Sequence, residues 1–352
     1  MGDRAQLWYS QYRQFLDLYP STNSKKMTGQ STILLPRMGC GTWAWGNRLL
    51  WQYDRSMDDQ LQQVFNLCVD KGVTLFDTGD SYGTGKLNGQ SEILLGQFAK
   101  ACVSPNQDNI CLATKLAPYP WRLSRKSMVK AAEASATRLE RPIDLVQMHW
   151  STANYFPWQE LPLLDGLADL YEQGKVKAVG LSNYGPKRLQ KICDRFTQRG
   201  VPILTLQVQY SLLSTDPVAK LDLKQLCDEL GIQLIAYSPL ALGLLTGKYS
   251  ESGNLPPGLR RRLFRQLLPQ VRPLLETLRQ IAKLREKTPS QIALNWCMIK
   301  GTIPIPGAKT ITQAQDNIGA LGWSLSGAEI DELDRITAGL KKGMVKNIFQ
   351  TG

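Results

Sequence analysis

The sequence is poor in the side chains that usually carry metal and redox chemistry. One histidine, His149, occurs in 352 residues. The seven cysteines (Cys40, Cys68, Cys102, Cys111, Cys193, Cys227 and Cys297) are an odd number and contain no C-x-x-C pair. Most stand inside apolar runs such as Asn66-Leu-Cys-Val and Trp296-Cys-Met, the pattern of reduced thiols used as small core residues in a cytoplasmic protein. A zinc site needs clustered nitrogen and sulfur ligands, so no metal is expected. No window approaches the roughly 20 apolar residues of a membrane span. The start, Met1-Gly-Asp-Arg-Ala-Gln, lacks the apolar stretch of a signal peptide. Gln6 stands where myristoylation of Gly2 requires Ser or Thr, which argues against a lipid anchor.

What is present is ordinary for a globular chain: 43% hydrophobic and 20% charged residues, enough for a large core. The net charge is +12, from 42 basic and 30 acidic side chains. Part of it concentrates in Arg260-Arg-Arg-Leu-Phe-Arg265. No helix-turn-helix, finger or RNA-binding signature accompanies that run, so nucleic acid is not an expected partner. The run reads as a solvated loop face, or as a positive field beside an anionic cofactor.

From residue 58 onward a short apolar run, a turn and an amphipathic segment alternate. The runs are Thr74-Leu-Phe, Ile110–Ala113, Leu145–Met148, Val176–Gly180, Thr205–Val208, Gln233–Ala236 and Thr302–Ile305; an earlier one, Arg37–Thr42, makes eight. Between them, Asp59–Cys68 and Lys187–Phe196 carry apolar residues at helical spacing. Alternation of this kind argues for parallel strands with right-handed crossovers. Without a G-x-G-x-x-G turn after the first strand, it favours a closed (β/α)8 TIM barrel over an open sheet. We read a single α/β domain over residues 31–340. Residues 1–30 form an N-terminal appendage with a candidate helix at Gln6–Tyr19, and residues 341–352 a C-terminal tail. The stretch from Ala236 to a helix near Pro273, rich in Gly and Pro, reads as a long functional loop.

Barrel active sites lie at the C-terminal ends of the strands. The expected ends deliver Phe76-Asp77-Thr-Gly-Asp-Ser-Tyr82, Lys115, His149-Trp150, Ser182-Asn183, Gln207-Val-Gln-Tyr210, Tyr237-Ser238-Pro-Leu240 and Pro306-Gly-Ala-Lys309. Each group also has a plainer reading. Asp77 or Asp80 could cap a helix, Tyr82 could be a core residue and Lys115 a rim charge. Gln207 and Tyr210 could pack inside the barrel, and the tryptophans could pack ordinarily.

The order Asp77, Tyr82, Lys115, His149 resembles the catalytic tetrad of the aldo-keto reductases. The segments "FDTGDSYG", "GLSNY", "QVQYSLL", "AYSPLALGLLTGKY" and "IPGAKTITQAQDN" each resemble a family motif in its expected place. The resemblance runs from about Met38 to Leu340 and implies reversible reduction of aldehydes or ketones by a nicotinamide cofactor. The chemistry is coherent on its own terms. A carbonyl accepting hydride needs an acid at its oxygen, and a free tyrosine, with pKa near 10, is a poor one. A lysine beside the phenol would lower that pKa, and a carboxylate would hold the lysine. His149 would donate to the carbonyl oxygen and orient it.

The resemblance further implies that Ser182, Asn183 and Gln207 bind the nicotinamide carboxamide, and that Tyr237 stacks on its ring. Ser238, Leu240, Gly243 and Leu245 would line the pyrophosphate; Gly307, Lys309, Gln313, Asp316 and Asn317 would meet the adenosine end. Gln313 replaces an arginine, and Gly307 a lysine, frequent in the family. Lys309 is left to hold a 2′-phosphate as a point charge. NADPH is therefore the expected cofactor, with NADH the alternative. Trp43, Trp45 and Trp150 are expected at the pocket mouth, where a small carbonyl substrate enters. Some family members act instead as nicotinamide-binding regulatory subunits with little turnover. That is the competing reading; substrate and oligomeric state stay open.

Overall fold

A computed structural model describes residues 33–85, 88–219, 221–251, 253–258, 260–340, 344 and 350–351. The chain divides into two compact units, Met1–Ile33 and Leu34–Gly352, and every described strand and helix belongs to the second. The candidate helix Gln6–Tyr19, the appendage 1–30 and most of the tail 341–352 lie outside the described residues.

Strands β1 (Cys40–Gly41), β2 (Leu75–Asp77), β3 (Cys111–Leu116), β4 (Ile143–Met148), β5 (Val176–Ser182), β6 (Ile203–Gln209), β7 (Gln233–Tyr237) and β8 (Ile303–Pro304) form one parallel sheet in sequence order. Gly39 and Gly41 donate their N–H groups to Pro304 and Pro306 carbonyls at 3.0 and 3.1 Å, which closes β1 on β8. The expected barrel is the observed architecture. Every residue of β3 and β4 is buried, as strands covered on both faces require. Small residues set the spacing inside. A Cβ on Gly180 would lie 2.2 Å from the Thr205 hydroxyl oxygen, so β5 approaches β6 only because the position is glycine.

The amphipathic segments are the helices on the barrel's outer face. Asp58–Asp70 buries Leu61, Val64, Phe65 and Cys68. Pro186–Thr197 buries Leu189, Ile192, Cys193 and Phe196, with Pro186 at the first turn, where its missing N–H costs nothing. All seven cysteines are free and buried. Among the described residues no helix is long and apolar enough to cross a membrane.

The structure corrects the reading of the basic run. Arg260–Arg265 opens a helix, Arg260–Arg285, that buries Phe264, Leu267, Leu268, Val271 and Leu274. The helix carries Pro269 and Pro273 in its interior. A proline reads as a helix boundary because it lacks an N–H and crowds the preceding turn. Here the apolar face packed on the barrel outweighs both losses.

Candidate active site

Strand ends bring the four tetrad positions together. Asp77 closes β2 and Lys115 lies one residue from the end of β3. His149 follows β4, its N–H bonded to the Leu116 carbonyl at 3.1 Å. The loop after β2 is pinned to β3: Thr78 N–H donates to Ala113 O at 2.8 Å and Asp80 N–H to Lys115 O at 2.9 Å. Tyr82 N–H then turns back to Gly79 O at 2.9 Å. A Cβ on Gly79 would stand 3.3 Å from the Tyr82 ring, so this glycine gives the ring room over the loop. Tyr82 and His149 rings meet edge to face at 5.8 Å, and Lys115 Nζ lies 4.9 Å from the phenol ring centre. All four line one cavity of about 760 Å3.

Beneath the surface of that cavity the charges are locked. Lys115 and Asp77 are 1% and 2% exposed and form a hydrogen-bonded ion pair. The other Asp77 oxygen accepts from Gln207 Nε2 at 2.8 Å and from Gln147 Nε2 at 3.1 Å. Gln207 therefore turns its amide N–H toward Asp77. Gln147, on the inward face of β4 two positions before His149, was missed in the sequence because it reads as part of an apolar run.

Burial pulls the Lys115 ammonium below its usual range, against the opposing pull of Asp77. The Tyr82 phenol departs from the sequence expectation. Burial, and then the Asp77 carboxylate, push it well above its ordinary value rather than below it. Asp77 sits directly on Lys115, so the ammonium's field is offset while the phenolate would still lose its water. Tyr82 thus holds its proton. His149 is driven well below the ordinary imidazole value by burial and then by the Lys115 charge, and is neutral at physiological pH.

The expected cofactor positions adjoin this centre. Ser182 and Asn183 are buried at the end of β5. Asn183 takes a left-handed backbone, φ 65°, which a β-strand end tolerates only when neighbours hold it. Its amide N–H groups donate to His149 O at 3.3 Å and Ser182 Oγ at 3.1 Å, and its Oδ1 accepts from the Tyr237 hydroxyl at 3.0 Å. The C-terminal segment completes the turn: Thr351 N–H donates to Asn183 O at 3.1 Å, and Gly185 N–H donates to Thr351 Oγ1 at 2.8 Å. Met344, whose N–H reaches Leu213 O at 2.7 Å, joins the cavity wall. No local sequence signal could have linked Thr351 or Met344 to strand ends so far away.

Ser238, Leu240, Gly243, Gly307, Lys309, Gln313, Asp316 and Asn317 line the same cavity, as do Trp43 and Trp150. Two expected residues do not. Leu245 is wholly buried beneath the turn Ala241–Thr246, where its apolar side chain fills the core. Trp45 is also wholly buried and donates its indole N–H to Ala308 O at 2.9 Å; it is a wall of the barrel rather than of the mouth.

Of the two readings of the basic run, the positive field beside an anionic cofactor fits the cavity, which Arg260 and Lys309 both line. The Arg260 guanidinium stacks over the Trp51 ring at 4.4 Å and donates to Leu242 O at 3.1 Å. Lys309 Nζ donates to Trp51 O at 2.9 Å, and burial and then Arg260 draw its pKa down. Arg260 Nε and Trp51 Nε1 are buried donors without a hydrogen-bond partner among the described residues, and both residues line the cavity. Buried orphan donors beside two cations fit a bound phosphate ester. The arginine run was visible in the sequence; its proximity to Lys309 was not.

Comparisons with known proteins agree with this geometry. The aldo/keto reductase family profile matches residues 37–338. The chloroplastic pyridoxal reductase of Arabidopsis thaliana is 56% identical over 317 residues, 89% of this chain and 86% of that protein. The NADP(+) aldo-keto reductase yakc of Schizosaccharomyces pombe is 29% identical over 297 residues, 80% of this chain and 83% of the relative. Among solved structures, a Klebsiella pneumoniae aldo/keto reductase in complex with NADP and acetate aligns with a TM-score of 0.67 at 26% identity, covering 88% of this chain and 96% of that one. With its barrel, its strand-end tetrad and a family match over most of its length, this chain belongs to the aldo/keto reductase family.

Proposed function

We propose that this protein reduces a flat aromatic aldehyde of the pyridoxal type with NADPH, with Tyr82 as the proton donor. The observation that carries the reading is one cavity joining a neutral phenol, a neutral imidazole and a buried ion pair to a cluster of cations. NADPH, when bound, supplies the hydride for the carbonyl carbon. The chain's own groups do the rest. Tyr82 gives its proton to the carbonyl oxygen and is then a phenolate beside Lys115, whose charge stabilises it at the moment it forms. Asp77, fixed by Gln147 and Gln207, keeps Lys115 in place. His149 donates to the same oxygen and orients it. Asn183 and Ser182 would hold the carboxamide, Tyr237 would stack on the ring, and Arg260 and Lys309 would hold the phosphates.

The substrate side supports an aromatic aldehyde. Trp43 is 37% exposed and packs edge to face on Trp51 at 6.0 Å. Trp150 packs on His149 at 4.7 Å, with its indole N–H fixed on the Tyr155 hydroxyl. Flat walls of this kind favour a flat ring. The 56% identical relative is named as a pyridoxal reductase. Seven free, buried cysteines suit any reducing compartment; the cytoplasm is one, and the plastid of the plant relative is another.

The test follows NADPH absorbance with pyridoxal, its 5′-phosphate and small aliphatic aldehydes, for wild type and Tyr82→Phe. Turnover of pyridoxal that falls about 100-fold or more in the variant, with NADPH still bound, is the expected result. Tight NADPH binding without turnover of any aldehyde would instead favour a regulatory nicotinamide-binding subunit.

A further inference from the structure

A neutral imidazole carries its proton on one ring nitrogen only, so its tautomer decides whether His149 can donate to a carbonyl oxygen. Nδ1 of His149 faces Ser81 Oγ at 3.4 Å. Ser81 stands between the β2 end and Tyr82 and lines the cavity. On its other side the Tyr119 phenol lies near the Ser81 and Asn88 side chains, which oppose the rise that burial gives its pKa. Tyr119 is itself held. Arg122 lies over its ring at 4.9 Å and pairs with buried Asp80. Gln159 Nε2 donates to the Tyr119 carbonyl at 2.6 Å.

Ser81 thus stands between His149 Nδ1 and a second hydroxyl, that of Tyr119. Tyr119, the more acidic alcohol, can give its O–H to Ser81 Oγ, which leaves the Ser81 proton for Nδ1. We propose that Ser81, backed by Tyr119, is a positioning residue that fixes His149 as the tautomer with its proton on Nε2. In that form Nδ1 accepts from Ser81 and Nε2–H is the donor left for a carbonyl oxygen. In the opposite form Nδ1–H would point at Ser81, and Nε2 would present a lone pair to the oxygen and repel it. The catalytic consequence rests on the function proposed above; the tautomer itself does not.

A chain with one histidine makes the experiment direct. Uniformly 15N-labelled full-length protein without cofactor gives one imidazole in a long-range 1H–15N correlation spectrum, and the nitrogen shifts report which atom is protonated. Wild type is expected to show Nε2–H and bare Nδ1. Ser81→Ala is expected to lose the single tautomer and Ser81→Thr to keep it. With pyridoxal, kcat of Ser81→Ala falls about tenfold while KM for NADPH holds, a share of the loss typical when a donor to a reacting oxygen is removed; Ser81→Thr restores the rate. A wild-type spectrum with Nδ1 protonated overturns the proposal, whether or not any variant folds. So does a Ser81→Ala spectrum identical to wild type. The expected spectra combined with no turnover by wild type would uphold the tautomer and refute the aldehyde reductase.

Discussion

Replacing Asp77 by asparagine tests the buried ion pair at the centre of the site. Asp77 accepts three donors, from Lys115 and from the Gln147 and Gln207 amides at 3.1 and 2.8 Å. Asparagine keeps the shape, removes the charge and turns one acceptor into a further donor. Removing one partner of a buried pair costs about 3–5 kcal/mol. An independent route gives a similar figure. If Lys115, 1% exposed, loses its proton in the folded variant, the cost at pH 7 is about 1.36 kcal/mol for each pH unit below the unfolded lysine value near 10.4. That amounts to about 4.6 kcal/mol.

The sign of the pH dependence follows from the same lysine. Its folded pKa is lowered, so between that value and about 10.4 the unfolded chain binds the extra proton and stability rises with pH. In the variant the carboxylate no longer opposes this, and the rise is steeper than in wild type. Between pH 7 and pH 9 the Asp77→Asn variant is expected to recover up to about 2.7 kcal/mol of its deficit. Urea unfolding followed by the fluorescence of the nine tryptophans, at both pH values for both proteins, measures it. A deficit below about 1 kcal/mol, or one equal at the two pH values, would refute the reasoning.

Other consequences are open to simpler assays. Tyr82 is raised and His149 lowered, so Tyr82 stays protonated and His149 neutral from about pH 6.5 to about pH 10. The profile of kcat/KM for reduction is expected to show no inflection from either group in that window, and a sigmoid centred between pH 6.5 and 8 in wild type but absent from Tyr82→Phe or His149→Gln would contradict it. Lys309→Met is expected to raise KM for NADPH about tenfold, the worth of a charged hydrogen bond, with little change for NADH; equal shifts for both would place Lys309 away from the 2′-phosphate. Thr351→Val leaves the Gly185 N–H without its acceptor, at a cost of about 1–3 kcal/mol. Part of that cost should appear as a severalfold rise in KM for NADPH through Asn183, and titration of NADPH fluorescence checks whether binding is unchanged instead.

The relation of sequence to structure differs from one element to the next. β4 and the helix Pro186–Thr197 were legible because burial on both faces, or on one stripe, writes a period into adjacent residues. The helix Arg260–Arg285 was not, because its interior prolines carry the local signal of a boundary and only contacts with the barrel contradict it. Asp77, Tyr82, Lys115 and His149 were legible as strand-end groups, and the resemblance to the aldo-keto reductases singled them out from the other groups delivered there. Trp45 shares that placement, yet its indole N–H is spent on Ala308 O; the loop's path, which no pattern encodes, turned it inward.

The barrel, the strand ends that open on the cavity and the polar residue types gathered there could be read from the sequence alone. These are local properties: the alternation of burial, the turn that follows it and the side chain placed there. How those groups are charged and held emerged only with the folded chain. The sequence could set Lys115 after an apolar run but could not say that Asp77 would sit on it and leave the Tyr82 phenol raised. Nor could it say that Arg260 and Lys309 would meet at Trp51, or that Thr351 would reach the turn at Asn183. Hydrogen-bond partners and electrostatic fields depend on distances between segments far apart in the chain, and those distances exist only once β8 has closed on β1.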